Sequence, residues 1–329
     1  MAKKDKETDT GSVVDALVLS INSEFGKGSL IRLNEKSSEI EVVSTGSIGI
    51  DSASGVGGLP RGRVIEIIGD ASNGKTTLAL SVIANAQKEG GKCLIIDAEH
   101  SLDRKWAKTI GVNEDSLWLS QPGSAEESFD ICQNAVRSGQ FAVVVIDSVS
   151  ALVPKAELEG SIGDSTVGLQ ARLMSKALRT LVGDVATSNT MLIFLNQYRE
   201  NINTFGHGDN KTTSGGRALK FYASMRLELK KMKTEEKHSI IRVKFIKNKV
   251  ASPYGVCDVN LVYGVGFSLY DEVIDYGISI GKIVKSGTWF SIGDEKIGQG
   301  RDRVKDYLVA NPSVFSELEE LARKSLIEK

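Results

Sequence analysis

The chain has 329 residues, of which 41% are hydrophobic and 25% charged. That is enough to bury the core of one large α/β domain with a smaller satellite. Its 41 basic and 42 acidic residues nearly cancel, so overall charge singles out no partner. Three dispersed cysteines (Cys93, Cys132 and Cys257) exclude a disulfide framework or a zinc site. The polar start and the lack of an 18-residue apolar run lead us to expect a cytoplasmic protein with no membrane partner.

Residues 1–11 are polar. From Ser12, which reads as an N-cap, apolar Val13, Val14, Leu17, Ile21 and Phe25 recur at helical spacing and stop before Gly26. A polar stretch from Asn34 to Glu39 sets this helix apart. It either folds back on its own domain or docks on a neighbouring subunit.

Val64-Ile65-Glu66-Ile67-Ile68 reads as a buried strand, and Thr77 to Ile83 as the start of a helix. Between them Gly69-Asp70-Ala71-Ser72-Asn73-Gly74-Lys75-Thr76 is a full G-x-x-x-x-G-K-[ST] loop. This context aims several backbone N–H groups and a helix N-terminus at one point. Lys75 can then reach the β- and γ-phosphates, and the Thr76 hydroxyl can hold Mg²⁺. A glycine-rich turn without a ligand would share the pattern but not these flanks. The chain is expected to bind a nucleoside triphosphate.

Further strands are predicted at 92–97, 141–147 and 190–196 beside 63–68, with helices at 75–89, 124–138 and 166–187, an alternation that argues for a mostly parallel sheet covered on both faces. Three of these strands end in polar groups where such a sheet binds its ligand. Asp147 ends an apolar strand and can join Thr76 around Mg²⁺, with Ser148 beside it as a positioning group. Glu99, just past Asp97, can orient and deprotonate an attacking water; its alternative reading is a helix-capping acid. Asn196-Gln197 can bond an oxygen that hydrolysis removes. The Gly-bearing segments Pro154–Gly168 and Tyr198–Gly216 read as long functional loops without periodicity.

Residues 225–263 give three β-rich runs that read as an antiparallel extension. A small C-terminal domain is expected from about 270, closing with a helix from Val314 to Ile327. Segment 226–249 carries nine Lys/Arg against three Glu, and segment 281–305 six against three acids. Such stretches are either solvated faces or nucleic-acid contacts.

In this order the motifs resemble the bacterial RecA recombinase family over nearly the whole chain. The resemblance runs through Glu24-Phe25-Gly26-Lys27-Gly28-Ser29, the phosphate loop, Asp97-Ala98-Glu99-His100 and Asp147-Ser148. It continues through Pro154 to Asp164, Asn196-Gln197, Gly215-Gly216, Lys247-Asn248-Lys249 and Gly298-Gln299-Gly300.

The resemblance implies an α/β fold: a RecA-type P-loop core, an N-terminal polymerisation helix and a small α+β C-terminal domain. The implied boundaries are 1–36 for tail and helix, 37–269 for the core with DNA loops at about 157–168 and 197–216, and 270–329 for a duplex-binding domain. It implies a DNA-dependent ATPase using ATP and Mg²⁺. Such a protein forms a helical homo-filament on single-stranded DNA, captures double-stranded DNA, exchanges strands and meets loading mediators.

Carried over by position, Glu99 is the catalytic glutamate, Gln197 the γ-phosphate sensor, and Lys247 and Lys249 reach the γ-phosphate of the adjacent subunit. The nucleotide set is Gly69 through Thr77 with Asp103 and Trp106, and Tyr263 and Gly264 from the far side. Thr76 and Asp147 are the metal positions. Arg172, Ser175, Arg179, Arg199, Gly215 and Gly216 fall at DNA-contacting positions, and Arg217 adds a charge where the family usually has Asn.

Asp70 and Asn73 stand where Pro and Ser are usual, Trp106 for Tyr and Val167 for Met. The tip at His207-Gly208-Asp209-Asn210-Lys211 is rewritten, and the family's acidic tail has no counterpart after Glu328-Lys329, which predicts a less self-inhibited duplex surface. A ring-forming motor ATPase on the same core is the alternative reading. A single-strand-binding scaffold without catalysis is at odds with Lys75, Thr76, Glu99 and Asp147 all being present.

Overall fold

A computed structural model describes residues 10–35, 40–161, 168–200 and 211–327. The chain divides into two compact units, residues 1–40 and 41–329. In the first, a helix spans Thr10–Phe25, so Ser12 lies inside it rather than capping it. The following segment folds back on this helix. Asn22 exchanges two hydrogen bonds with the Leu30 backbone at 2.9 Å, and Arg32 pairs with Asp15 at 2.7 Å. Val13, Val14, Leu17, Leu19 and Phe25 are exposed.

The second unit is built on a sheet whose order, among the described residues, is 266–267, 256–262, 238–248, 225–234, 64–69, 191–196, 141–147, 92–97, 117–120. From 225–234 to 117–120 all neighbours run parallel; the remaining three strands extend the sheet antiparallel. The parallel strands are almost continuously apolar because both faces are covered. Ile65, Ile67, Ile95, Val143 and Ile193 pack under helix Lys75–Lys88. Val64, Leu94, Ile96, Val144 and Phe194 pack under helices Ala125–Arg137 and Leu169–Ser188. This two-fold alternation of one strand set onto two cores leaves the carboxyl ends of the strands as the common rim for polar residues.

The structure corrects the sequence reading in several places. Tyr198–Gly216 is not wholly aperiodic: Tyr198–Glu200 pairs antiparallel with Lys211–Thr213, a ladder at the base of the loop. Residues 201–210, including the rewritten tip from His207, and 162–167, including Val167, lie outside the described residues. Lys155–Leu158 forms a short helix, and a further edge strand, Leu117–Ser120, was not anticipated. Beyond Leu269–Ser279 lies a three-stranded antiparallel sheet, 284–286, 289–292 and 295–299, followed by helices Arg301–Ala310 and Pro312–Ile327. These share a hydrophobic cluster of their own, to which Ile48 also contributes.

Candidate ATPase centre and nucleic-acid interface

The phosphate loop is held by close backbone approaches and by one side chain. A Cβ on Gly69 would lie 2.7 Å from the Leu229 carbonyl, and one on Gly74 would lie 3.1 Å from Leu261 Cδ2. Gly74 also has φ 85°, which favours glycine. Ser72, at φ 58°, takes the left-handed region without being glycine. Asn73, where the resemblance expects Ser, donates to the Leu229 carbonyl at 3.1 Å and is buried. Its amide thereby pins the loop to the neighbouring strand and leaves the backbone cradle intact.

Lys75 is buried and donates to the Asp70 carbonyl at 2.9 Å. Burial pulls the Lys75 ammonium below the usual lysine range, opposed by the charges of Asp147, Glu99 and Asp70. The Thr76 hydroxyl donates to Asp147 at 2.9 Å. Burial, with the negative charges of Glu99 and Asp97, pushes Asp147 up to about 6. Two oxygen donors in a site that carries excess negative charge suit a hard divalent cation. Among the described residues no group of three or more His, Cys, Asp or Glu could hold a metal by itself, so phosphate oxygens and water must complete any shell.

Glu99 is not a helix cap. Its carboxylate accepts from Ser148 Oγ at 2.5 Å and from Gln197 Nε2 at 3.2 Å, so Ser148 positions Glu99 rather than Asp147. Asp97 is buried and structural: it accepts from Ser101 N, Leu102 N and Gln121 Nε2 at 3.0–3.2 Å, fixing the turn that presents Glu99. Glu99 N donates to the Asp147 carbonyl at 3.2 Å, so Thr76, Asp147, Glu99 and Gln197 form one connected group, with the Lys75 ammonium under the charges of Asp147 and Glu99.

The nucleotide candidates outside the phosphate loop are placed less uniformly. Asp103 caps helix Arg104–Ile110 through Lys105 N and Trp106 N. Trp106 Nε1 donates to Thr77 Oγ1 at 3.3 Å, tying the indole to the helix that opens at Lys75. Tyr263, half exposed and beside Gly264, pairs through its hydroxyl with Ser239 at 2.7 Å rather than with the phosphate loop.

The loop residues gather around helix Leu169–Ser188. Gly215 and Gly216 have φ 79° and 75°, and a Cβ on either would lie 2.8 Å from Val149 or Ala171. Gln170, which the sequence did not single out, accepts from Gly215 N at 3.1 Å and donates to Val149 and Leu152 carbonyls at 2.7 and 2.9 Å. Arg172 and Arg179 are exposed on this helix, whereas Ser175 bonds back to the Ala171 carbonyl. Arg199 Nε donates to Ser214 Oγ at 3.4 Å across the base of the second loop, and Arg217 is exposed at the start of helix Ala218–Tyr222. Tyr198 donates to Glu228 at 2.6 Å.

Lys247 is half-buried and donates to the Lys220 and Phe221 carbonyls at 2.7 and 2.9 Å, closing the C-terminus of that helix. Lys249 is exposed, and its backbone N–H bonds the Ser224 carbonyl. In the C-terminal segment Arg301 and Lys305 are not free for a ligand: they pair with Asp271 and Asp275 at 2.6–3.4 Å. Lys285 and Lys296 lie over the Phe290 and Trp289 rings.

Comparison with known proteins decides the family. A model of the RecA N-terminal domain matches residues 12–268 and one of the RecA C-terminal domain matches 271–327. The chain belongs to the RecA family. It is 50% identical over 327 residues to Protein RecA of Rhodospirillum rubrum, covering 97% of this chain and 89% of that one. It is 49% identical to Protein RecA of Caulobacter vibrioides over 97% of this chain and 91% of that one. Against Protein RecA of Campylobacter jejuni the identity is 48%, over 95% and 93%.

As a RecA-family member the protein is a DNA-dependent ATPase and recombinase that binds DNA, assembles into filaments and exchanges strands in recombination and repair. Among the described residues, no helix is long and apolar enough to cross a membrane.

Proposed function

We propose that this recombinase binds ATP on the Gly69–Thr77 loop and hydrolyses it from a site that two adjacent subunits complete. The observation that carries the reading is the connected group of Thr76, Asp147, Glu99 and Gln197, with the Lys75 ammonium under its charges. The loop N–H groups and Lys75 hold the β- and γ-phosphates, and Trp106, Asp103, Tyr263 and Gly264 form the base-binding side. Thr76 and Asp147 would hold Mg²⁺, which would supply neutralisation of the phosphate charge. Glu99, with one oxygen fixed by Ser148, orients and deprotonates the attacking water. Lys247 and Lys249 stabilise charge at the γ-phosphate bound by the next subunit.

Single-stranded DNA binds along Arg172, Ser175, Arg179, Arg199, Gly215, Gly216 and Arg217, whose basic groups and backbone suit phosphates more than base edges. The exposed apolar residues Val13, Val14, Leu17, Leu19 and Phe25 support docking of the residue 1–36 segment on a neighbour within a helical filament. Residues 37–269 act as the ATPase core. Residues 270–329 capture duplex DNA through Lys282, Lys285, Lys296 and Arg303, with Arg301 and Lys305 spent on internal pairs.

The test is ATP hydrolysis by Glu99→Gln beside nucleotide binding, with and without single-stranded DNA. Retained binding with lost turnover supports the reading; turnover within twofold of the parent removes Glu99 from the chemistry.

A further inference from the structure

Glu66 lies in the middle of the phosphate-loop strand, wholly buried, and none of the chemistry above uses it. An apolar residue would fill that position without desolvating a charge. Its two carboxylate oxygens serve two different elements. One accepts from Asn196 Nδ2 at 2.8 Å, the other from Arg226 Nε at 2.5 Å. Asn196, also wholly buried, donates in addition to the Ser214 carbonyl at 3.1 Å, and its Oδ1 accepts from Gln197 N at 2.9 Å. Glu66 is therefore one residue removed from both the sensor Gln197 and the foot of the second loop.

On its other side the chain of contacts leads to the inter-subunit lysines. Arg226 is the register partner of Glu66 on one neighbour and of Lys247 on the next. Lys247 in turn holds the C-terminal carbonyls of helix Ala218–Tyr222, which begins two residues after Gly216.

We propose that Glu66 is a positioning residue for the inter-subunit step: its carboxylate offsets Arg226 so that Lys247 stays a cation, and through Asn196 it sets the foot of the second loop against the sensor. This inference rests on the reading that Lys247 acts on the neighbour's phosphate. The charged groups facing Lys247 are Lys249 on its own strand, Arg226 on the adjacent strand and Glu66 on the strand beyond; the short helix contributes carbonyls. Burial, Lys249 and Arg226 lower the Lys247 ammonium to about 8, and Glu66 opposes them. Without the Glu66 charge, two cations act on Lys247 with no anion in that set.

The experiment is the pH profile of DNA-stimulated ATP hydrolysis in Glu66→Gln, whose amide still offers Asn196 an acceptor. The inference predicts retained ATP affinity and an alkaline limb displaced to lower pH by about 1 unit. At the parent's limb this corresponds to a several-fold loss of stimulated turnover that acidification restores. Glu66→Gln combined with Arg226→Met removes the opposed charges together, and because Arg226 acts on Lys247 more strongly than Glu66 does, the limb should return to the parent's position or above it. That double variant carries the test if the single one does not fold.

A limb unmoved in the single variant, or still displaced to lower pH in the double variant, overturns the inference. Lys247→Ala is measured alongside. If it keeps DNA-stimulated hydrolysis, the inter-subunit reading and this inference fall together. If it loses stimulation while Glu66→Gln follows the parent profile, only this inference falls.

Discussion

Gln197 donates its side-chain amide to Glu99 at 3.2 Å, so the residue proposed to sense the γ-phosphate is bonded directly to the residue proposed to activate water. A phosphate oxygen that takes the Gln197 amide must release a lone pair of Glu99. The same step is felt at the second loop, because Gln197 begins the turn into the Tyr198–Glu200 strand and its backbone N–H is held by Asn196. On the proposed roles, sensing, catalysis and DNA binding share one amide. Gln197→Ala should keep ATP binding but lose the tightening of single-stranded DNA binding that ATP produces. Equal DNA affinity with and without ATP in that variant is the expected result of a fluorescence-anisotropy titration; tightening as large as the parent's would remove Gln197 from the coupling.

Lys75 and Glu99 should fail differently. Lys75→Ala leaves the loop without its buried cation and should weaken nucleotide binding and hydrolysis together. Glu99→Gln preserves the contacts of binding and should lose turnover by about 10²–10⁴-fold. Calorimetric binding beside steady-state kinetics separates the two cases.

Much of the centre was legible because its residues sit at the ends of strongly apolar strands, where a parallel sheet leaves them no other place. Glu99, Asp147 and Gln197 were found in that way. What escaped were partners distant in sequence. Ser148 bonds Glu99 across 49 positions and not its neighbour Asp147. Gln170 ties the second loop at Gly215, 45 positions away, to the turn at 149–152. Arg301 and Lys305 read as open cations because Asp271, which pairs with both, lies about 30 residues upstream. The Tyr198–Glu200 ladder is three residues long, too short for a period-two pattern to emerge from a glycine-rich stretch.

The pH dependence of DNA-stimulated hydrolysis should carry the mark of Lys247. Burial, Lys249 and Arg226 lower its ammonium to about 8. The cation that the proposed inter-subunit step needs is present below that value and lost as pH rises through it. Stimulated turnover should therefore decline above about pH 8, and Lys247→Arg, whose charge persists, should flatten that decline. An alkaline limb of identical position in the parent and Lys247→Arg would assign it to another group.

Single-stranded DNA binding should weaken steeply with salt, since the candidate contacts are arginines and backbone aimed at phosphates. Log–log titrations over several salt concentrations measure the slope. A flat response, or a preference between sequences above roughly 2 kcal/mol, would contradict the proposed surface.

The cysteines test the fold independently of function. Burial pushes Cys93 and Cys132 up to about 12 and raises Cys257 further. All three are free thiols, and the native protein should react slowly with a thiol reagent at pH 8, whereas all three should react in denaturant. Rapid native labelling of Cys93 or Cys132 would contradict the packing of both faces of the sheet.

The central claim is that each ATPase site is completed by two subunits. Lys247→Ala with Lys249→Ala should lack DNA-stimulated hydrolysis, and Glu99→Gln should lack it for a different reason. Mixed in one filament, the two inactive proteins form some interfaces in which an intact Glu99 faces an intact lysine pair. The measurement is stimulated hydrolysis against mixing ratio at constant total protein, with co-assembly verified by labelled subunits. The account predicts activity that is absent at both ends and maximal between them. No recovery at any ratio, with mixed filaments verified, would mean that the lysines act within their own subunit or not at all.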